Sequence, residues 1–322
     1  MRLAQFYSHG IRRLGVLVGD TVVDLALVRR EVAMSEGYRS GTLDRLVQRE
    51  APLEIADFLA LGQAGTDLAN TAVAWVASRS AAENARLRSL GTIVPVAELT
   101  FAPTVSPSST IFCVGFNYAA HAAEAGSPKT EHPELFMRTY DSLAGHLQPI
   151  LRPTISTKLD WEAELAVVIG KPAHRVAEED AYDYVAGYSN FNDGSVRDYQ
   201  KHTPLPTSGK NFSQTGAMGP FLVTSDEVPT PQALDFTSRV DGEVMQSANT
   251  DDMVFGIATA ISYISQIMYL QPGDVIATGT PAGVGFRQNP QRFLKAGETA
   301  TIEFAGLGIL ENTVVDEVEE KK

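Results

Sequence analysis

The chain has 322 residues, enough for two domains at roughly 150 residues each, or for one large domain with an appendage. Hydrophobic residues make up 44% and charged residues 20%, which excludes a disordered, collagen-like or repetitive chain. Lys and Arg number 26 against 39 Asp and Glu, and the net charge of −13 repels phosphate backbones, so nucleic acid is not an expected partner.

No apolar run approaches the roughly 18 residues a membrane helix needs, and the N-terminus has no signal-peptide stretch. The expectation is a soluble, cytoplasmic protein with no membrane contact. The single cysteine, Cys113, lies among Ile111, Phe112 and Val114 and reads as a small core residue.

Residues 1–102 read as a small N-terminal α+β domain. The Gly19-Asp20 turn between β-type runs at 15–18 and 21–25 predicts a hairpin. Helical patterns follow at 53–61 and 66–90. The Pro/Ser-rich segment at 102–109 marks the boundary to a second domain, residues 103–322. There the texture changes to short apolar runs at 111–116, 164–169, 184–188, 221–224, 274–278 and 300–304, with one strong helix at 251–268. Many strands and few helices predict a β-rich α+β core with a closed or folded-over sheet.

The most informative stretch is Asp160-Trp161-Glu162-Ala163-Glu164-Leu165-Ala166-Val167-Val168-Ile169-Gly170. In a strand, Glu162 and Glu164 point to the same face. Two carboxylates beside so apolar a run need a bound cation or a retained proton, and Asp193 in Asn192-Asp193-Gly194 can add a third oxygen ligand for Mg²⁺, Mn²⁺ or Ca²⁺. A solvated edge strand fits the same spacing.

His121 and Glu124, three apart, share a helical face, so the carboxylate can orient the imidazole as a general base; an exposed ion pair has the same pattern. Lys210 lacks the flanking residues of a phosphate loop, leaving a cation aimed at an acidic substrate or a solvated lysine. Residues 278–285 offer glycine amides and a hydroxyl that can hold a carboxylate.

Taken in order, residues 115–124, 160–170, Asn192-Asp193-Gly194-Ser195-Val196-Arg197-Asp198-Tyr199-Gln200, Gly209-Lys210, Leu270-Gln271-Pro272-Gly273-Asp274-Val275-Ile276 and 278–285 resemble the successive signatures of the fumarylacetoacetate hydrolase family. The resemblance covers about residues 103–318. It implies a mixed β-sandwich roll, a divalent metal on Glu162, Glu164 and Asp193, and catalytic roles for His121, Glu124 and Lys210. Substrate contacts are implied at Asn117, Tyr118, Arg138, Gln200 and Thr280.

Asn117 stands near where some members carry a fourth acidic ligand, which places the chain with the three-carboxylate branch. Arg138 stands where many members have lysine and His146 where proline is frequent, which suggests an altered distal pocket suited to a second acidic or polar group. The implied reaction is metal-dependent hydrolysis of an acylpyruvate-like 2,4-diketo acid to pyruvate and a carboxylic acid. Alternatives are tautomerisation of 2-hydroxymuconate-type acids, decarboxylation of oxaloacetate, or a non-catalytic binding protein. The expected cofactor is Mg²⁺ or Mn²⁺, the partner a small 2-oxo acid, and the assembly a homodimer. Residues 119–136, polar and turn-rich around Gly126-Ser127-Pro128, are expected to act as a lid.

Overall fold

In the computed structural model, which describes residues 1–121 and 130–318, the apolar run at 165–169 lies in the middle of the fold. Its strand, Ala163–Ile169, pairs with Val185–Asn192 on one side and Val275–Ala277 on the other. Leu165, Val167 and Ile169 enter one core cluster while Ala166 and Val168 enter another, because alternate side chains leave a strand on opposite faces. A strand covered on both sides reads as continuously apolar. The edge-strand alternative for Glu162 and Glu164 is therefore excluded.

This strand belongs to a twelve-stranded mixed sheet. From one edge, its main path runs through Ile93–Pro95, Thr21–Asp24, Ile11–Val18, Arg2–Ser8, Gly216–Thr224, Val185–Asn192, Ala163–Ile169, Val275–Ala277, Ile111–Gly115 and Glu134–Arg138. The N-terminal strands thus continue the sheet of the residues beyond 103, joined where Arg2–Ser8 pairs with Gly216–Thr224. A second, five-stranded sheet runs Glu243–Asn249, Asp235–Val240, Thr299–Phe304, Gly308–Asp316, Ile150–Arg152. Phe236, Ile302, Phe304 and Leu310 from this sheet pack with Leu165, Val167, Tyr188 and Val223 from the first. The other face of the large sheet buries Ala166, Val168 and Phe191 with Val28, Phe58, Ala69 and Val76 from N-terminal helices. The β-rich α+β class expected from the sequence is the one found.

The hairpin forms as expected, with Val18 opposite Thr21 and Gly19 at φ 61°, a value that turns of this kind favour in glycine. The helix expected at 66–90 is two helices, Gln63–Ala77 and Ala81–Ser89. Ser80 starts the second with a capping box to Glu83, which satisfies amides a continuous helix would have bonded internally. Helix Leu25–Ser35, unforeseen, begins on Asp24, whose side chain accepts from the Leu27 amide and pairs with Arg13. The helix expected at 251–268 begins later, as Ile257–Ile267. No described helix is long and apolar enough to cross a membrane.

Candidate active site

Pairing places the three expected ligands together. Ala163 sits opposite Asn192, and the Asp193 amide donates to the Glu162 carbonyl at 2.9 Å, so the two motifs meet across adjacent strands. Glu162, Glu164 and Asp193 are buried, and one carboxylate oxygen from each lies within 4.8 Å of the others. Three hard oxygen donors at that spacing, with no sulfur or imidazole among them, fit a divalent cation of the Mg²⁺, Mn²⁺ or Ca²⁺ type.

The electrostatics around them are uneven. Lys210, also buried, reaches Glu162 Oε2 and Asp193 Oδ2, each at 2.5 Å. Arg197 bridges Glu162 and Asp160 at 2.7 Å to each, and Arg138 reaches Asp193 Oδ1 at 2.7 Å. Burial pushes the Glu162 carboxyl up, but Lys210 and Arg197 outweigh it and hold the group below its ordinary range. Glu164 has an amide hydrogen bond from Gly279 at 2.9 Å and no cationic partner among the described residues. Burial, then Asp193 and Glu162, push its carboxyl well above the ordinary range. The surroundings therefore act in opposite directions on Glu162 and Glu164, and the unmet charge is concentrated on Glu164.

These groups floor a cavity of about 830 Å³ whose walls include His121, Phe136, Arg197, Gln200 and Thr280. His121 stacks on Phe116 with ring centroids 5.8 Å apart, and Phe116 holds a left-handed backbone at φ 49°. Burial is the main cause that pushes the His121 imidazole down to about 4, so the ring is neutral at physiological pH. Its expected partner Glu124, and residues 122–129 of the expected lid, lie outside the described residues.

Three expected substrate contacts are elsewhere. Asn117 is fully buried and off the cavity lining; its amide donates to the Phe255 and Thr278 carbonyls and its oxygen accepts from the Phe255 amide. It is a bracket tying the His121 segment to the Gly279 loop. Tyr118 is buried against Phe236, also off the lining, and burial raises its hydroxyl. Arg138 lies beneath the carboxylates instead of in a distal pocket, donating to Asp193, the Gly194 carbonyl, Ser142 and Thr215. His146 accepts from the Glu311 amide and packs on Phe101, also off the lining. Gln200 and Thr280 do line the cavity, held by Arg197 and Gln246 respectively. The glycine loop serves the protein's own acids: Gly279 binds Glu164, and Gly285 and Phe286 bind Asp160.

The fumarylacetoacetate (FAA) hydrolase C-terminal profile matches residues 110–315, well over half of the chain. The chain belongs to the fumarylacetoacetate hydrolase family. Among family relatives, the mitochondrial oxaloacetate tautomerase FAHD2A of Bos taurus is 38% identical over 287 residues, 84% of this chain and 91% of its own. The maleylpyruvate hydrolase of Sphingobium sp. SYK-6, solved with manganese (II) and pyruvate, superposes with a TM-score of 0.70 at 27% identity, covering 98% of this chain and 99% of that one. The 2-hydroxyhepta-2,4-diene-1,7-dioate isomerase of Mycobacterium marinum gives 0.68 at 25% identity, covering 99% and 100%.

Sequence reasoning missed Arg197 and Asp160 in this family site, although both stand inside the quoted motifs. Arg197 Nη2 is a buried donor on the cavity wall with no hydrogen-bond partner among the described residues. The signal available was alternation of charge, Asp160 and Glu162 in one motif facing Arg197 in the other.

Proposed function

We propose that this chain converts the keto and enol forms of a 2-oxo acid, with Mg²⁺ or Mn²⁺ as cofactor. The observation that carries the reading is the buried His121 imidazole on the wall of the cavity that the three carboxylates floor. A cation held by Glu162, Glu164 and Asp193 would supply Lewis-acid stabilisation of negative charge on the oxo acid's C2 oxygen.

The chain's own residues do the remaining work. Gln200 and Thr280, on the lining and held by Arg197 and Gln246, take the substrate carboxylate and fix its orientation. His121 accepts a proton from C3 and returns it to the C2 oxygen, so the substrate is isomerised and no water is consumed. Lys210, tied to Glu162 and Asp193, holds the two ligands in place and keeps a positive charge near the developing anion. Phe116, Leu135 and Phe136 limit water at the reacting carbon. The likeness to an oxaloacetate tautomerase along most of both chains supports this reaction.

Hydrolysis of a 2,4-diketo acid is the second reading, supported by the maleylpyruvate hydrolase likeness. It requires water activation at the distal carbonyl, for which the family pairs His121 with Glu124. One experiment separates the readings: purified protein with Mn²⁺ is given oxaloacetate and, separately, acetylpyruvate, and enol absorbance, pyruvate and CO₂ are each followed. The expected result is faster decay of oxaloacetate enol absorbance than buffer and metal alone produce, without matching CO₂ release. Pyruvate from acetylpyruvate with no effect on the oxaloacetate enol would replace tautomerisation with hydrolysis.

A further inference from the structure

The cavity carries a second cluster of charge that the proton transfer above does not use. Lys201 and Arg287 are exposed residues of its lining, so they stand at its mouth, while the three carboxylates form its buried floor. Both flank one ring: Lys201 Nζ lies 3.8 Å from the Phe286 centroid and Arg287 Cζ lies 5.1 Å from it. Desolvation and the charges of Arg287, Arg197 and Lys158 hold the Lys201 ammonium below its ordinary value. Like charges gathered without a carboxylate partner among the described residues make a field that an anion would relieve. Glu134 is the remaining acid of the described lining, and it has no ion pair with either cation.

The cluster is also registered to the floor. The Phe286 and Gly285 amides donate to Asp160 at 2.9 and 2.8 Å, and Arg197 ties Asp160 to the ligand Glu162. Lys201 directly follows Gln200 at the end of helix Arg197–Gln200, which carries two residues of the inner wall. Both cations therefore grow from the elements that position the oxo-acid end, at a fixed relation to it.

We propose that Lys201 and Arg287 are specificity-determining residues that seat the second carboxylate of a dicarboxylic 2-oxo acid. This rests on the preceding reading only in placing the oxo-acid group at the floor. The pocket for a second acidic group, expected at Arg138, is thereby assigned to residues that line the cavity.

The test is calorimetric binding to Mn²⁺-supplemented protein of two five-carbon acids that differ at one end, 2-oxoglutarate and 2-oxopentanoate. Wild type is expected to bind the diacid about tenfold or more tightly than the monoacid, on the scale of one or two partly solvated ion pairs, with the preference shrinking as salt is raised. In the variant combining Lys201→Gln and Arg287→Gln the diacid-to-monoacid ratio should fall to about one. Equal binding of the two acids by wild type, or a ratio that survives in the double variant, would overturn the proposal. Because binding is read without turnover, a diacid preference in a wild-type protein that fails to accelerate enol decay would refute the tautomerase reading alone.

Discussion

Arg138 is the residue whose substitution tests the electrostatic design of the floor most directly. Its side chain and that of Asp193 are both fully buried, and its guanidinium donates to five acceptors: Asp193 Oδ1, the Gly194 carbonyl, both oxygens of Ser142 and Thr215 Oγ1. A Cβ at Gly216 would come within 2.7 Å of Arg138 Nη2, so that position must stay glycine for the guanidinium to be seated there. Arg138→Lys keeps the charge but has three donors for five acceptors. At about 0.5–1.5 kcal/mol for each bond lost, two orphaned acceptors cost about 1–3 kcal/mol.

Arg138→Met removes the charge as well. It leaves Asp193 with Lys210 as its cationic partner, and breaking a buried pair costs about 3–5 kcal/mol. A divalent cation on the same carboxylates compensates the missing charge, so saturating Mn²⁺ should recover a larger share of stability in Arg138→Met than in Arg138→Lys. Urea unfolding of wild type and both variants, with chelator and with Mn²⁺, measures all four differences. A cost below about 1 kcal/mol for chelated Arg138→Met, or recovery by Mn²⁺ no greater than in Arg138→Lys, would show that Arg138 does not compensate Asp193.

His121→Ala should lower kcat about 10²- to 10⁴-fold while leaving Mn²⁺ affinity within a few-fold. With the imidazole pushed down to about 4, the neutral form predominates above that pH, so the acid limb of the kcat profile should lie near or below 4; a limb at 6.5 would refute the burial argument. Glu164→Gln should have opposite effects on fold and metal. The raised carboxyl of Glu164 binds a proton in the folded chain that the unfolded chain releases, so metal-free stability falls as pH rises from the ordinary carboxyl range toward the raised value. The variant should flatten that loss in a chelated pH series of unfolding curves and weaken Mn²⁺ binding roughly tenfold or more, whereas unchanged pH dependence would contradict the assignment.

Much of this site was legible because its chemistry is written in short-range periods. Glu162 and Glu164 two apart on a strand, and Asp193 in a turn motif, needed only the strand's side-chain alternation and the family pattern. What sequence could not supply was register. Arg138 stood out as unusual, but its place depends on Ile111 pairing with Arg138 at the end of strand Glu134–Arg138, which directs the guanidinium under Asp193. Asn117 likewise looked like a polar residue beside a candidate base, yet its amide is consumed by Phe255 and Thr278, residues more than a hundred positions away. Of the second sheet the run at 300–304 was legible, whereas Glu243–Asn249 and Gly308–Asp316 mix polar and apolar residues with no fixed period and lack the continuous apolar signal of the central strands.

The charges explain why these particular residues are gathered. Asp160, Glu162, Glu164 and Asp193 are four buried carboxylates, and Arg138, Arg197 and Lys210 are the three buried cations that pair with them. With all ionised, the cluster carries one negative charge, concentrated on Glu164, which alone among the four makes no ion pair among the described residues. A monovalent cation would neutralise it and leave nothing to attract an acid. A divalent cation would turn the cluster net positive, matched to one carboxylate. The three cations thus do more than relieve repulsion between the acids: they bring the floor close enough to neutrality that one dication inverts its sign. A second carboxylate would then exceed what the floor can balance, so the proposed diacid specificity rests on the cations at the mouth, Lys201 and Arg287.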